Sequence, residues 1–204
     1  MILSVLLSAV LAMVGSWWID RLYSVKDAPL SFPNRIVERS RFRVPLLAFG
    51  LAACMTFIVE RPTVEAIYLT AASFFLLSIT ATDFEQYVIF DRRTLPFAVV
   101  GIVSTIHLHL PIIDHLIAAA AGGAVFLLLA LLTKGALGGG DIKLIAALGL
   151  WVGTDRLIDI VVYGSIFGGI AALIMLATKK MNRKSVFAYG PYFTLAALFF
   201  MLKG

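Results

Sequence analysis

Long apolar blocks alternate with short polar breaks along this chain. Taking about 20 apolar residues as one bilayer span and tolerating shorter ones inside a bundle, the pattern predicts eight helical segments. They fall at approximately 2–19, 45–59, 66–82, 94–113, 116–133, 141–153, 157–178 and 187–202. The segments at 45–59 and 141–153 are short for lipid and are expected to be sheltered by neighbours. The first block, ILSVLLSAVLAMVGSWWI, lacks a basic leading stretch, and Trp17 and Trp18 close it where a small-residue cleavage site would fall. It reads as a retained first span rather than a signal peptide. The expected fold is therefore all-α, a polytopic integral membrane protein with about eight transmembrane helices. Residues 1–204 read as one membrane-embedded domain, without internal repeats, and the longest break, 20–44, is a short basic loop.

Composition agrees. Hydrophobic residues make up 61% and charged residues 14% of the 204, and mean hydropathy is +0.97, far from a soluble domain. The net charge of +5 would suit nucleic acid, but its distribution gives it another meaning. Numbering the spans alternately puts all 17 basic residues except Arg61, Arg156 and Lys203 on one side, counting Lys143 just inside a span. That side is expected to be cytoplasmic, which makes membrane lipids the partners of the charge and leaves no case for nucleic acid. The run KKMNRK (179–184) reads as an anchor beside anionic headgroups. The single cysteine, Cys54, lies in an apolar run and reads as packing; it excludes an internal disulfide.

Most of the 12 carboxylates have ordinary explanations. Glu60, Glu65, Asp114, Asp155 and Asp159 fall in or near the opposite turns, within reach of water, and Asp20, Asp27 and Glu38 fall among the basic residues of the long loop as exposed pairs. The remainder mark two boundaries on the basic side: Asp83, Glu85 and Asp91 in SITATDFEQYVIFDRRTLP (78–96), and Asp141 in GGGDIK (138–143). Asp83 ends a helix, where the dipole disfavours an anion, so capping does not explain it. Asp141 can also be read as the N-cap of IKLIAALGLWV. Asp91 can be read as a cap or as a partner of Arg92 and Arg93, and Glu85 as a solvated residue whose neutralisation is tolerated.

Two aspartates entering the membrane from one side, on different helices, are the minimum equipment of an aspartyl protease. One carboxylate takes a proton from water while the other, protonated, donates to the peptide carbonyl. Such a pair shares one proton and titrates as a unit. The glycines Gly138, Gly139 and Gly140 then acquire a purpose, letting the backbone turn tightly and approach a substrate strand.

These residues resemble the GxGD-type prepilin peptidases, or type IV prepilin leader peptidases. GGGD (138–141) with the following IKLIAALGLWVG is similar to the family's second aspartate motif, DFEQYVIFD (83–91) to its first, and AYGPYFTLA (188–196) to its late F-G-P-Y-L-A signature. The likeness runs from about 66 to 196. It implies an aspartic endopeptidase that removes the short basic leader of type IV prepilins or pseudopilins after a glycine, at the cytoplasmic face of the bacterial inner membrane. Asp83 and Asp141 match the catalytic pair. Gly138 and Gly140 match the motif glycines, Gly139 takes the variable position, and Glu85, Asp91, Lys143, Gly190 and Pro191 are grouped with them as substrate-positioning residues. No cofactor and no metal are implied. Many members carry a four-cysteine zinc domain between the first two spans, where this chain has a cysteine-free loop. RVPLLA (43–48) faintly resembles the family's R-Y-P-x-x-E, with Ala48 in the glutamate's place. Both features belong to members that also N-methylate the product, so trimming without methylation is expected.

The alternative is a small ion-coupled transporter using the same two aspartates at a broken helix, although transport sites usually lie nearer the midplane. His107, His109 and His115 with Asp114 could be drawn as a metal site; interfacial histidines are the commoner reading. Gly122, Gly123, Gly164, Gly168 and Gly169 suggest close helix packing.

Overall fold

A computed structural model describes residues 2–26, 28–133, 137–178 and 187–203. The described elements are α1 (Ile2–Tyr23), a 3-10 turn (Pro33–Arg35), α2 (Ile36–Ser40), α3 (Arg43–Ile58), α4 (Thr63–Gln86), α5 (Asp91–His107), α6 (Ile112–Leu132), α7 (Gly139–Ala177) and α8 (Gly190–Lys203), with no strand among them. The run 179–184, together with Lys134 and Asp27, lies outside the described residues.

By length and composition α1, α4, α6 and α7 can each cross a membrane, and the pair Pro33–Ser40 and Arg43–Ile58, bent by 53°, counts as a fifth. Their outward faces are apolar. Leu128, Leu131, Leu173 and Ile174 are each more than half exposed, a surface that suits hydrocarbon and not water. The segments expected at 141–153 and 157–178 are the two parts of α7. Its 39 residues would run about 58 Å if straight, nearly twice the hydrocarbon thickness. The break is a single residue, Gly153, at φ 75° and ψ −176°. Asp114 of α6 explains why the chain can break there: Oδ2 accepts the Thr154 amide at 3.0 Å and Oδ1 accepts the Thr154 hydroxyl. Asp114, part-exposed in the first turn of α6, thus also caps the second part of α7.

Two buried clusters hold the bundle. The larger joins α3 through α8 around Leu76, Ile79, Phe97, Leu144, Leu148 and Ile160; the smaller packs α1 on α3 through Ala12, Ile19 and Leu51. Glycines make several close approaches, as expected. Gly122 meets Leu157 and Ile145, Gly123 meets Ala146, Gly164 meets Phe193, and Gly168 meets Tyr189, whereas Gly169 faces open space. Cys54 is free and buried in the larger cluster. α8, only 14 residues long, is sheltered between α4 and α7. That position brings the start of α8 against the end of α4.

Candidate active site

Three helix ends meet at one end of the bundle. α4 stops because Tyr87 turns left-handed (φ 55°, ψ 39°) and its amide closes the last turn on the Asp83 carbonyl at 2.9 Å, a common way to end a helix. Asp83 is therefore fixed in the final turn, 5% exposed. α7 begins after Gly138, and Asp141 is its third residue, with its amide on the Gly138 carbonyl at 3.0 Å. Gly138 is the N-cap and makes no side-chain cap bond, so Asp141 is not used as the cap that its sequence position allowed.

Close contacts tie these ends together. A Cβ at Gly190, the first residue of α8, would stand 2.6 Å from Asp83 Oδ2 and 3.0 Å from Ile89 Cδ1. One at Gly140 would stand 2.8 Å from Ile89 Cβ, and one at Gly138 would stand 3.2 Å from Asp141 Oδ2. Gly139 has nothing within 4 Å among the described residues, so no steric demand seen there explains a glycine. The Asp83 and Asp141 carboxyls are near enough to interact electrostatically, and the Gly190 and Gly138 amides face Asp83 and Asp141 respectively. Among the described residues Asp83 Oδ2 and Asp141 Oδ1 are buried and have no hydrogen-bond partner. Buried polar atoms are usually partnered, and these two lie on carboxyls near enough to interact. Pro191, buried in the first turn of α8, needs no amide partner there.

Glu85 behaves otherwise than its sequence position suggested. Two residues along a helix turn a side chain by about 200°, so Glu85 faces away from Asp83. It is 6% exposed. Arg43 of α3 holds it with Nε on Oε1 at 2.8 Å and Nη2 on Oε2 at 2.6 Å, and the Tyr23 hydroxyl donates to Oε2 at 3.1 Å. Arg43 Nη1 also reaches Asp20 Oδ1 at 2.6 Å. Glu85 is thus a buried ion-pair member joining α1, α3 and α4, not a solvated residue. Sequence reasoning missed this cluster; its signal was Arg43, the last of the basic run Arg39, Arg41, Arg43, opening the apolar run of α3.

Asp91 does not pair with Arg92 or Arg93. It binds Lys143 Nζ at 2.7 and 2.8 Å, both side chains about half exposed, bridging the starts of α5 and α7. Arg93 is fully buried, with its guanidinium over the Trp18 ring at 4.5 Å and Nη2 on the Gly15 carbonyl at 3.2 Å. At the other end of the bundle His107 Nδ1 pairs with the Tyr68 hydroxyl at 2.8 Å, and His115 Nδ1 lies 3.0 Å from the Leu150 carbonyl. Among the described residues no group of histidine, cysteine, aspartate and glutamate could hold a metal ion.

The fold and this site define an all-α membrane protein with two neighbouring carboxyls, each with a buried oxygen, supplied by the ends of different helices. The model of the type IV leader peptidase family matches residues 70–173, about half the chain and a stretch containing both aspartates. The chain belongs to that family. It is similar to prepilin leader peptidase/N-methyltransferases from Xanthomonas campestris (33% identical over 130 residues, 61% of this chain and 45% of the relative) and Neisseria gonorrhoeae (35% over 140 residues, 66% and 46%). The one from Pseudomonas putida is 29% identical over 175 residues, 82% of this chain and 61% of the relative. The chain thus spans roughly half to three-fifths of the length of these relatives. No solved structure matches it.

Proposed function

We propose that this protein is an aspartic endopeptidase that cuts the leader from a type IV prepilin or pseudopilin, with Asp83 and Asp141 as the catalytic pair. The observation that carries the reading is a pair of buried carboxyl oxygens, unpartnered among the described residues, on aspartates close enough to interact and packed against backbone at Gly138 and Gly190. One carboxylate accepts a proton as water adds to the scissile carbonyl carbon, and the other, protonated, donates to the carbonyl oxygen. Collapse of the tetrahedral adduct breaks the C–N bond, with a proton passing to the departing nitrogen. The products are a leader carboxylate and a new amino terminus.

The basic residues beside the dyad support a cytoplasmic face in the bacterial inner membrane. A basic leader would stay among headgroups there while the substrate's apolar helix remained in lipid. We read the whole chain as one peptidase unit, with 20–44 standing in place of a cysteine-rich domain. Ala48 and that short loop support trimming without methylation.

Purified protein in detergent, incubated with a candidate prepilin and no S-adenosylmethionine, should produce a mass loss equal to the leader. Asp83→Asn and Asp141→Asn should each lower the rate by on the order of 10³-fold or more, and the double variant should be hardly worse. Either single variant, well expressed and cutting near the wild-type rate, would show that the pair is not the catalytic one. Methyl transfer to the new terminus when S-adenosylmethionine is added would refute the trimming-only reading.

A further inference from the structure

Ile89 lies in the short connection between Tyr87, where α4 ends, and Asp91, where α5 begins. Its side chain is wedged between the glycines of the other two motifs. A Cβ at Gly140 would stand 2.8 Å from Ile89 Cβ and 3.6 Å from its Cδ1, and a Cβ at Gly190 would stand 3.0 Å from Ile89 Cδ1. The same point at Gly190 is 2.6 Å from Asp83 Oδ2, so the end of the isoleucine lies beside an unpartnered carboxyl oxygen. The side chain thus reaches from the residue preceding Asp141 to the residue packed on Asp83. It fills the space between Gly140 and Gly190, next to Asp83.

Neither wall can retreat easily. Gly140 and Gly190 already lie against Ile89 with no side chain of their own to move, and a β-branched residue has few rotamers. Productive attack also requires the reacting atoms to approach to about 3–3.5 Å, so a substrate backbone held off by one methyl group reacts poorly.

Resting on the peptidase reading above, we propose that Ile89 is a specificity-determining residue. It limits the size of the substrate residue that supplies the scissile carbonyl, so that a residue without a side chain brings this carbon to the dyad and alanine or anything larger does not.

The test uses two prepilins identical except for glycine or alanine immediately before the cut bond, with kcat/KM measured for wild type, Ile89→Val and Ile89→Ala. Both substrates are read with the same preparation, so their ratio does not depend on the fraction folded. Wild type should prefer glycine by on the order of 10²-fold; the preference should fall about tenfold in Ile89→Ala and by a smaller step in Ile89→Val, as expected for removing methyl groups from a pocket wall. Ile106→Ala, exposed near the far end of α5, should leave the ratio unchanged. If Ile89→Ala cuts neither substrate, the ratio in Ile89→Val decides. An unaltered preference in the Ile89 variants that cut would overturn the size limit while leaving the peptidase reading intact. Failure of the wild type to cut even the glycine substrate would sink the peptidase reading, and this inference with it.

Discussion

Neutralising Glu85 isolates the contribution of the buried ion pair in the turn of α4 that carries Asp83. The Arg43 and Glu85 side chains are 1% and 7% exposed, so water screens the pair little. In Glu85→Gln the amide keeps the shape and one acceptor, but Arg43 loses its bidentate carboxylate and keeps the Ser16 carbonyl and hydroxyl at 3.3 and 3.5 Å and, as counter-charge, Asp20, whose side chain is 60% exposed. Half-exposed pairs contribute about 0–1 kcal/mol, whereas removing one member of a buried pair typically costs about 3–5 kcal/mol because the other charge is stranded. We therefore expect a loss on the order of 3 kcal/mol. At a few degrees per kcal/mol for a chain of this size, that is roughly a 6–12 °C fall in Tm. Thermal unfolding of purified wild type and Glu85→Gln in one mild detergent measures it. Arg43→Met with Glu85→Leu provides the control: with both charges gone most of the loss should return, less about 1 kcal/mol for the stranded Tyr23 hydroxyl. A Glu85→Gln protein melting within 1 °C of wild type would refute the stranded-charge account. So would a double variant worse than the two single changes combined.

The glycines should rank by the space behind them. Gly190→Ala and Gly140→Ala force a methyl group against Asp83 and Ile89 and should each lower prepilin cleavage by about tenfold or more, while Gly139→Ala, facing open space, should cut normally; equal losses at all three would count against the packing described. Orientation is checked by single cysteines in a Cys54→Ala background. One at Val37, 86% exposed on the dyad side, should resist a membrane-impermeant thiol reagent in intact cells and one at Asp155 should label, and the reverse pattern would invert the topology.

The places of Asp83 and Asp141 at helix ends are legible because each is a carboxylate at the boundary of an apolar run, where hydrocarbon makes an unexplained charge conspicuous. The glycine runs were legible for a similar reason, since they weaken helices that lipid would otherwise favour. What sequence could not supply was the rotation of each helix. A helix that is apolar all round carries no stripe to say which face meets which neighbour. Sequence position alone therefore makes Glu85 look solvated although Arg43 buries it, and makes Asp91 look like a cap or a partner of Arg92 and Arg93 although Lys143 holds it. The break in α7 was mistaken for a turn of several residues for a related cause: the group that stabilises it, Asp114, belongs to another helix.

Rotation also explains how the segment after α1 bears on the dyad. An α-helix ends with unsatisfied carbonyls and a partial negative charge, an unfavourable setting for the Asp83 carboxyl in the last turn of α4. The chain between α1 and α3 answers this directly. Arg39 Nη2 donates to the Phe84 carbonyl at 2.6 Å, and the Ser31 amide donates to the Gln86 carbonyl at 3.3 Å. Gln86 clasps Phe32 in both directions, its Oε1 accepting the Phe32 amide at 2.8 Å and its Nε2 donating to the Phe32 carbonyl at 3.3 Å. The Arg39 guanidinium lies 4.2 Å over the Phe32 ring, which keeps it in place. A cation and two donors thus sit on the very turn that carries Asp83, and the Arg43–Glu85 pair braces the same turn from the side of α1 and α3. The segment that looked like a connecting loop is the cap of the helix end on which Asp83 stands, so its truncation would be felt at Asp83 before it was felt in the bundle.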